Sequence, residues 1–128
     1  MASNQDIIAR QSVRAAAILT TGYVAGTVLS DCGLMNQLVL LINFTIGQLT
    51  DMSIKIEFSD DNSTWYQETT NSISAGVCTE SAASHKYSAT GKYRLPVEIK
   101  DRFIRVSAIG NGTVTDSTLT IDAVLGVA

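Results

Sequence analysis

Several residue types and patterns on which common functions depend are scarce in this chain of 128 residues. Charged residues make up 16% of it, below the ~25% of a typical soluble protein. The formal net charge is -3, and the nine Lys and Arg residues are scattered among acidic neighbours. They do not form the basic stripe that neutralises phosphates, so the sequence argues against a nucleic-acid partner. A surface with so little charge also hints at burial against another protein.

Histidine and cysteine are also scarce, which limits the chemistry available to the chain. His85 is the single histidine, so a zinc site or a catalytic triad would lack its usual partners. Ser84 lies beside it in sequence and would point away from the ring in a strand. Cys32 and Cys78 are too few for the disulfide framework of a small secreted domain. We expect both to be reduced, buried thiols.

Loops and runs typical of other functional classes are also missing. The glycines sit in turns and do not lead into a helix, so no nucleotide site is visible. No pair of carboxylates is marked out for glycoside chemistry. We therefore predict a protein that is not an enzyme and needs no metal or other cofactor.

The densest apolar run, Leu38–Ile42, is far below the ~20 residues of a membrane span. The apolar stretch after Arg14 breaks at Thr20, too soon for a secretion signal. We expect a protein that is made in a cytoplasm and has no membrane partner.

What the chain does contain is alternation of apolar and polar residues with a period of two. Each such stretch offers one face to a core and one to water, as a half-buried strand does. Four clear stretches and a weaker one carry the apolar residues Met52, Ile54, Ile56 and Phe58; Tyr93, Leu95, Val97 and Ile99; Ile104, Val106 and Ala108; Leu119, Ile121, Ala123, Leu125 and Val127; and Ile73, Ala75 and Val77. Turn residues recur about every ten positions. The pattern predicts an all-β, antiparallel sandwich or barrel of about eight or nine strands, spanning residues 15–128.

Three segments refine this picture. Residues 1–14 lack strand character and are predicted to form a short N-terminal arm, either extended or opening with a short capped helix. The strand at Leu38–Ile42 is apolar without interruption. It should be central and covered on both faces, or covered on its second face by another subunit. Pro96 cannot donate a ladder hydrogen bond, so its strand should lie at a sheet edge or contain a bulge.

The richest polar cluster is Ser59–Trp65. Its carboxylates and hydroxyls could hold Ca²⁺, but they also suit a hairpin turn, because Asp, Asn and Ser bond their own backbone. We favour the turn. Trp65 and Tyr66 should point to opposite faces, one into the core and one outward.

Five segments of the chain carry a resemblance to a known group of proteins: Asn36–Leu40, Lys55–Asp61, Trp65–Glu68, Tyr93–Arg94 and Ile99–Val106. Together they resemble small β-sandwich virion proteins of tailed bacteriophages, in particular capsid decoration or cement proteins. The resemblance implies a jelly-roll fold and a structural role on the virion. Such a protein is made in the host cytoplasm, binds the outer surface of the major capsid protein lattice, and stabilises it, with a homotrimer matching local three-fold positions. The alternative is a carbohydrate- or receptor-binding module of a tail or fibre.

This resemblance supplies no ligand motif, so interface residues follow from the sequence pattern. We place subunit contacts on the arm and on the second face of the Leu38–Ile42 strand. The residues predicted to form them are Ile7, Ile8, Arg10, Arg14, Val39 and Leu41.

Overall fold

The computed structural model describes residues 6–30 and 32–127, and within them the chain is all-β. A short 3₁₀ helix at Cys32–Leu34 accompanies eleven strands in this described part. The strands are β1 (Asp6–Ala17), β2 (Val24–Ala25), β3 (Gln37–Thr45), β4 (Leu49–Ser59), β5 (Tyr66–Gln67), β6 (Thr69–Ser74), β7 (Val77–Ala82), β8 (His85–Tyr87), β9 (Gly91–Val97), β10 (Phe103–Gly112) and β11 (Thr118–Val127).

Two antiparallel sheets form the body of the molecule. The first sheet has the order β1-β11-β3-β9, and the second has β2-β10-β4, with β5 and β8 both paired to the remaining edge of β4. Their inward side chains interleave in one buried cluster, as in a β-sandwich. The predicted antiparallel sandwich is therefore confirmed.

Strands β5 and β8 are two halves of one strand. Tyr66 pairs with Phe58 of β4, the Glu68 amide then donates to the Ile56 carbonyl at 2.8 Å, and pairing resumes at His85, opposite Ile54. Between Met52 and Phe58 along this edge of β4, only Lys55 has no pairing residue in either half. When these halves are counted as one strand, the two sheets have the strand order of a jelly roll. Residues 69–84 are an insertion, which explains why the described chain has more strands than the eight or nine predicted.

The inserted segment is the hairpin β6–β7, and its turn differs from the prediction. The weak alternation at Ile73, Ala75 and Val77 is not one strand, because Ala75 and Gly76 have φ of 51° and 78° and reverse the chain. Two consecutive positive φ values are typical of a tight hairpin turn. Every residue of both strands is exposed.

The core follows the predicted alternation closely. Its buried apolar residues within strands β3, β4, β10 and β11 are Leu38, Leu40, Ile42, Phe44, Leu49, Met52, Ile54, Ile56, Phe58, Ile104, Val106, Ala108, Leu119, Ile121, Ala123 and Leu125. Val97 is buried, whereas Tyr93, Leu95 and Ile99 are half-buried against this core. Val127 departs from the pattern and is 41% exposed.

Strand β3 is central in the first sheet, and β9 lies at its edge. The central position of β3 was predicted from the apolar run Leu38–Ile42, and the edge position of β9 from Pro96. Coverage of β3 on both faces within the chain is not observed, because Val39 and Leu41 on its second face are only half-buried. The N-terminal segment differs from the prediction, because residues 6–17 form β1 and pair with β11. The alternative of a capped helix is wrong for residues 6–14, and the strand runs across the predicted boundary at 14/15. Residues 1–5 of the predicted arm lie outside the described residues.

Gly47, in the turn between β3 and β4, should tolerate no side chain. Its φ is 57°, and an added Cβ would lie 2.5 Å from the carbonyl carbon and oxygen of Asp116. Gly47→Ala should lower the free energy of unfolding by about 2–3 kcal/mol, as strain and overlap act together. Gly76→Ala is the control, since its φ is 78° but its Cβ would meet nothing within 4 Å. It should cost about 1 kcal/mol in urea unfolding. Equal losses of unfolding free energy in the two variants would show that the backbone at Asp116 can move away from an added Cβ.

The insertion should be removable without loss of the sandwich. Deleting residues 69–83 joins Glu68 to Ser84, which then fills the position opposite Lys55 and keeps both halves in register. The free energy of unfolding should change by no more than about 1 kcal/mol, because loop closure becomes cheaper. Deleting residues 69–82 is the control: it leaves one residue too many, forcing a bulge or a register slip. We expect this control to be clearly less stable in urea. Equal destabilisation of the two would mean that the hairpin itself supports the sandwich.

Candidate interaction surface

The outward side of the first sheet has aliphatic side chains at its centre and charges around them. Val39 and Leu41 alternate with buried core residues along β3, and both are half-buried. Ladder partners share a face of the sheet, so pairing extends this surface to Val124 and Pro96 beside Val39, and to Asp122 and Arg94 beside Leu41. We call this surface the outer face and define it as Arg10, Val39, Leu41, Lys92, Arg94, Pro96, Asp122 and Val124.

Three cations and one anion lie on the outer face. Arg10 Nη2 contacts Asp122 Oδ2 at 3.2 Å, an exposed pair of the kind that contributes ~0–1 kcal/mol. Lys92 and Arg94 are exposed on edge strand β9. Among the described residues, neither has an acidic group within ion-pair distance. The outer face is thus positive in a chain whose net charge is negative.

Two shallow, open depressions lie on the outer face. A depression of about 400 Å³ is lined by Leu41, Lys92 and Arg94, together with the Arg10–Asp122 pair. A second, of about 390 Å³, lies along Val39 and Pro96 and shares Arg94 with the first. Such depressions can receive side chains projecting from another protein. Their polar rims would orient those side chains.

The structure brings together three of the predicted interface residues: Arg10, Val39 and Leu41. Arg14 is not part of the outer face, and its guanidinium donates to the carbonyl oxygens of Leu119 at 3.2 Å and Ile18 at 2.9 Å. It ties β1 to the following chain, and partial burial lowers the pKa of Arg14 below its ordinary value. Ile7 and Ile8 lie in β1, with Ile7 opposite Gly126. Their side chains lie outside what the structure describes.

Sequence reasoning missed the other charged members, Lys92, Arg94 and Asp122. Each alternates with core residues on its own strand, which was a usable signal for an outward position. The cross-strand register that brings them around Leu41 was not readable from that alternation.

The polar cluster after β4 is a turn organised by Asp61. One carboxylate oxygen accepts hydrogen bonds from the amides of Thr64 and Ser63, both at 2.8 Å, and from Ser59 Oγ at 2.9 Å. These bonds, led by those from Thr64 and Ser63, lower the pKa of Asp61 below its ordinary value. The favoured turn interpretation is thus confirmed. Across the described ranges, no group of three or more His, Cys, Asp or Glu side chains is placed to hold a metal ion.

Protonation of Asp61 should loosen this turn only in acid. Because the native pKa lies below the unfolded one, the stabilisation is fully present above about pH 4 and is lost as the pH falls through the native pKa. Asp61→Asn should therefore lower the melting temperature at pH 7, and the difference in melting temperature between this variant and wild type should become smaller in acid. Asp60→Asn is the control, a neighbouring exposed carboxylate outside these hydrogen bonds. A difference that stays constant with pH would contradict this role for the carboxylate.

Other candidate residues are engaged in contacts that hold the fold. Trp65 is half-buried, with the Arg105 guanidinium carbon 4.5 Å from the centroid of its ring, whereas Tyr66 is 64% exposed. His85 Nε2 lies 2.7 Å from Glu68 Oε1, at the base of the inserted hairpin, and the His85 side chain is partly exposed. Of the two thiols, Cys32 is buried as predicted, but Cys78 is exposed on β7, so that prediction is wrong.

No helix in residues 6–30 and 32–127 is long and apolar enough to cross a membrane.

No family model and no curated protein matches the sequence. Among solved structures, the chain is similar to the crystal structure of PBSX exported protein XepA, with a TM-score of 0.65 and 14% sequence identity. The match covers 94% of this chain but only 38% of that protein, so the chain spans well under half of its neighbour's length. At this identity the similarity shows a shared β-sandwich fold.

Proposed function

We propose that the protein is a structural protein of a tailed-phage particle, specifically a decoration protein that binds the outer surface of the capsid lattice and stabilises it. The fold neighbour is PBSX exported protein XepA, and the shared fold is consistent with a structural role on a phage particle. The sequence resemblance to phage decoration proteins supports the same role. No catalytic step is part of the proposal.

The observation that carries the proposal is the aliphatic centre of the outer face. An antiparallel sheet with one solvated side normally alternates apolar residues inward with polar residues outward. Here β3 and β11 place Val39, Leu41 and Val124 on the outward side, where all three remain partly accessible. Covering such side chains stabilises a complex by about 25 cal/mol per Å² of apolar surface removed from water. A surface of this kind suits docking onto a protein partner.

A lattice amplifies modest contacts of this sort. A protein that binds the assembled shell, and not its separated subunits, stabilises the shell by mass action. Many identical sites then reinforce the particle even where each contact is weak. A homotrimer is part of the proposal, because closed three-fold symmetry would match local three-fold positions of a shell.

Co-sedimentation with shells that lack the protein tests this function. We expect saturable binding to assembled shells, none to separated capsid subunits, and a higher melting temperature of the loaded shell. A glycan array and a tail fraction are the parallel arms. Absence of binding to shells, combined with binding to a glycan or to tails, would overturn the proposal in favour of a receptor-binding module.

A further inference from the structure

We propose that the outer face docks onto an acidic surface of the shell protein, one whose Asp and Glu side chains surround an apolar centre. In this complex the carboxylates meet Lys92 and Arg94, and the apolar centre covers Val39 and Leu41. The inference rests on the proposed function and names the face and the chemistry of the partner.

The charge distribution is the first reason. The outer face holds three of the nine Lys and Arg residues but one of the twelve Asp and Glu residues of the chain. It is therefore positive, whereas the remainder of the molecule is clearly negative. A negative partner surface is attracted to this face and repelled by the remainder. Such complementarity fixes orientation and speeds encounter.

The second reason is that Lys92 and Arg94 have no intramolecular acidic partner in the described chain. Cations on an edge strand can serve simply to discourage pairing with another strand. Arg94, however, lines both depressions of the outer face and is paired in register with Leu41. Its position beside the aliphatic centre is that of a polar rim around an interface core.

Other occupants fit these observations less well. A phosphate backbone would favour a longer basic stripe without aliphatic side chains at its centre. A second copy docked face to face would bring two net-positive surfaces together, which is unfavourable. An acidic protein surface satisfies both the charges and the aliphatic centre.

Charge reversal with a matched control tests the inference. The variant Lys92→Glu/Arg94→Glu changes two exposed cations of the outer face. The control Lys100→Glu/Arg102→Glu changes two exposed cations at the same spacing, outside the outer face, and alters the net charge equally. Binding to shells is measured by co-sedimentation at low and high salt. We expect the outer-face variant to bind at least about tenfold more weakly, and the control to bind within about threefold of wild type. Wild-type binding should weaken with salt.

Each other outcome overturns the inference. Equal weakening of the two variants would mean that net charge alone matters, and no weakening would place the contact elsewhere. A lower mass of the outer-face variant in light scattering would assign the face to subunit contacts. Wild-type binding to a single-stranded oligonucleotide, lost in the outer-face variant, would assign it to nucleic acid. Lys92→Gln/Arg94→Gln repeats the test should the reversed variant unfold. If the wild-type protein fails to bind shells at all, the proposed function is wrong together with this inference. If it binds but the outer-face variant binds equally well, only the inference is wrong.

Discussion

Phe44→Ala should lower the free energy of unfolding by about 3–5 kcal/mol, the largest loss of stability that we expect from one side chain. Phe44 is fully buried and is among the largest side chains in the core. It projects inward from β3, between Leu119 of β11 and Gly91 of β9 in the ladder. Gly91 has no side chain to expand into the vacated volume. Truncation therefore removes apolar contacts and leaves a cavity between the layers.

Urea unfolding measures this loss, and the dependence of the free energy on urea should be unchanged if the native state stays compact. Tyr66→Ala is the matched control, since it removes an aromatic ring that is 64% exposed. We expect the control to change stability by about 0.5 kcal/mol or less. A loss below about 1 kcal/mol for Phe44→Ala would contradict close packing of the two sheets around this ring.

The long sandwich strands were predictable because their information is local. In β10, in β11 and in β4 from Met52 to Phe58, every second residue is apolar, and that period alone determines which side faces the core. Pro96 likewise marked the edge strand β9 through a property of the residue itself, its missing donor. Strand β1 gave no such signal, because Ala15, Ala16 and Ala17 show no contrast between faces. It is a strand because β11 offers it an edge to pair with.

The inserted hairpin was not predictable for a related reason. Its strands are polar and fully exposed, so no core selects a face or a register for them. Glu68 and His85 are consecutive on the same side of one interrupted strand, although the insertion separates them in sequence. Only the pairing of both halves with β4 reveals this. The exposure of Cys78 follows from the same insertion.

The candidate surface was predictable in its apolar part and not in its charged part. The uninterrupted run Leu38–Ile42 shows that apolar side chains must lie on both sides of β3, whatever strands lie next to it, and in the structure those opposite the core are Val39 and Leu41. The charges beside them come from β9 and β11, which reach β3 through pairings between distant segments. No local pattern encodes that register.

Val39→Ser/Leu41→Ser should weaken binding to the shell by about 30-fold while leaving the sandwich folded. Full burial of a Val or Leu side chain contributes about 1.5–3 kcal/mol. Both are already half-buried in the free protein, so a partner adds roughly 1 kcal/mol for each, or about 30-fold for the pair. The far-ultraviolet spectrum should remain that of a strand-rich protein, because the core-facing Leu38, Leu40 and Ile42 are unchanged.

Ile73→Ser/Val77→Ser is the matched control. It removes the same kind of side chains from the exposed hairpin, where they are 77% and 62% accessible. Binding within about threefold of wild type is expected for it, since neither residue touches the outer face. Unfolding of Val39→Ser/Leu41→Ser would show that the two side chains support the monomer core. A folded variant with lower mass in light scattering would instead support the subunit contact predicted from sequence and exclude the shell as the partner of this face. Retained mass with weakened shell binding is the result that the charged rim of Lys92 and Arg94 leads us to expect.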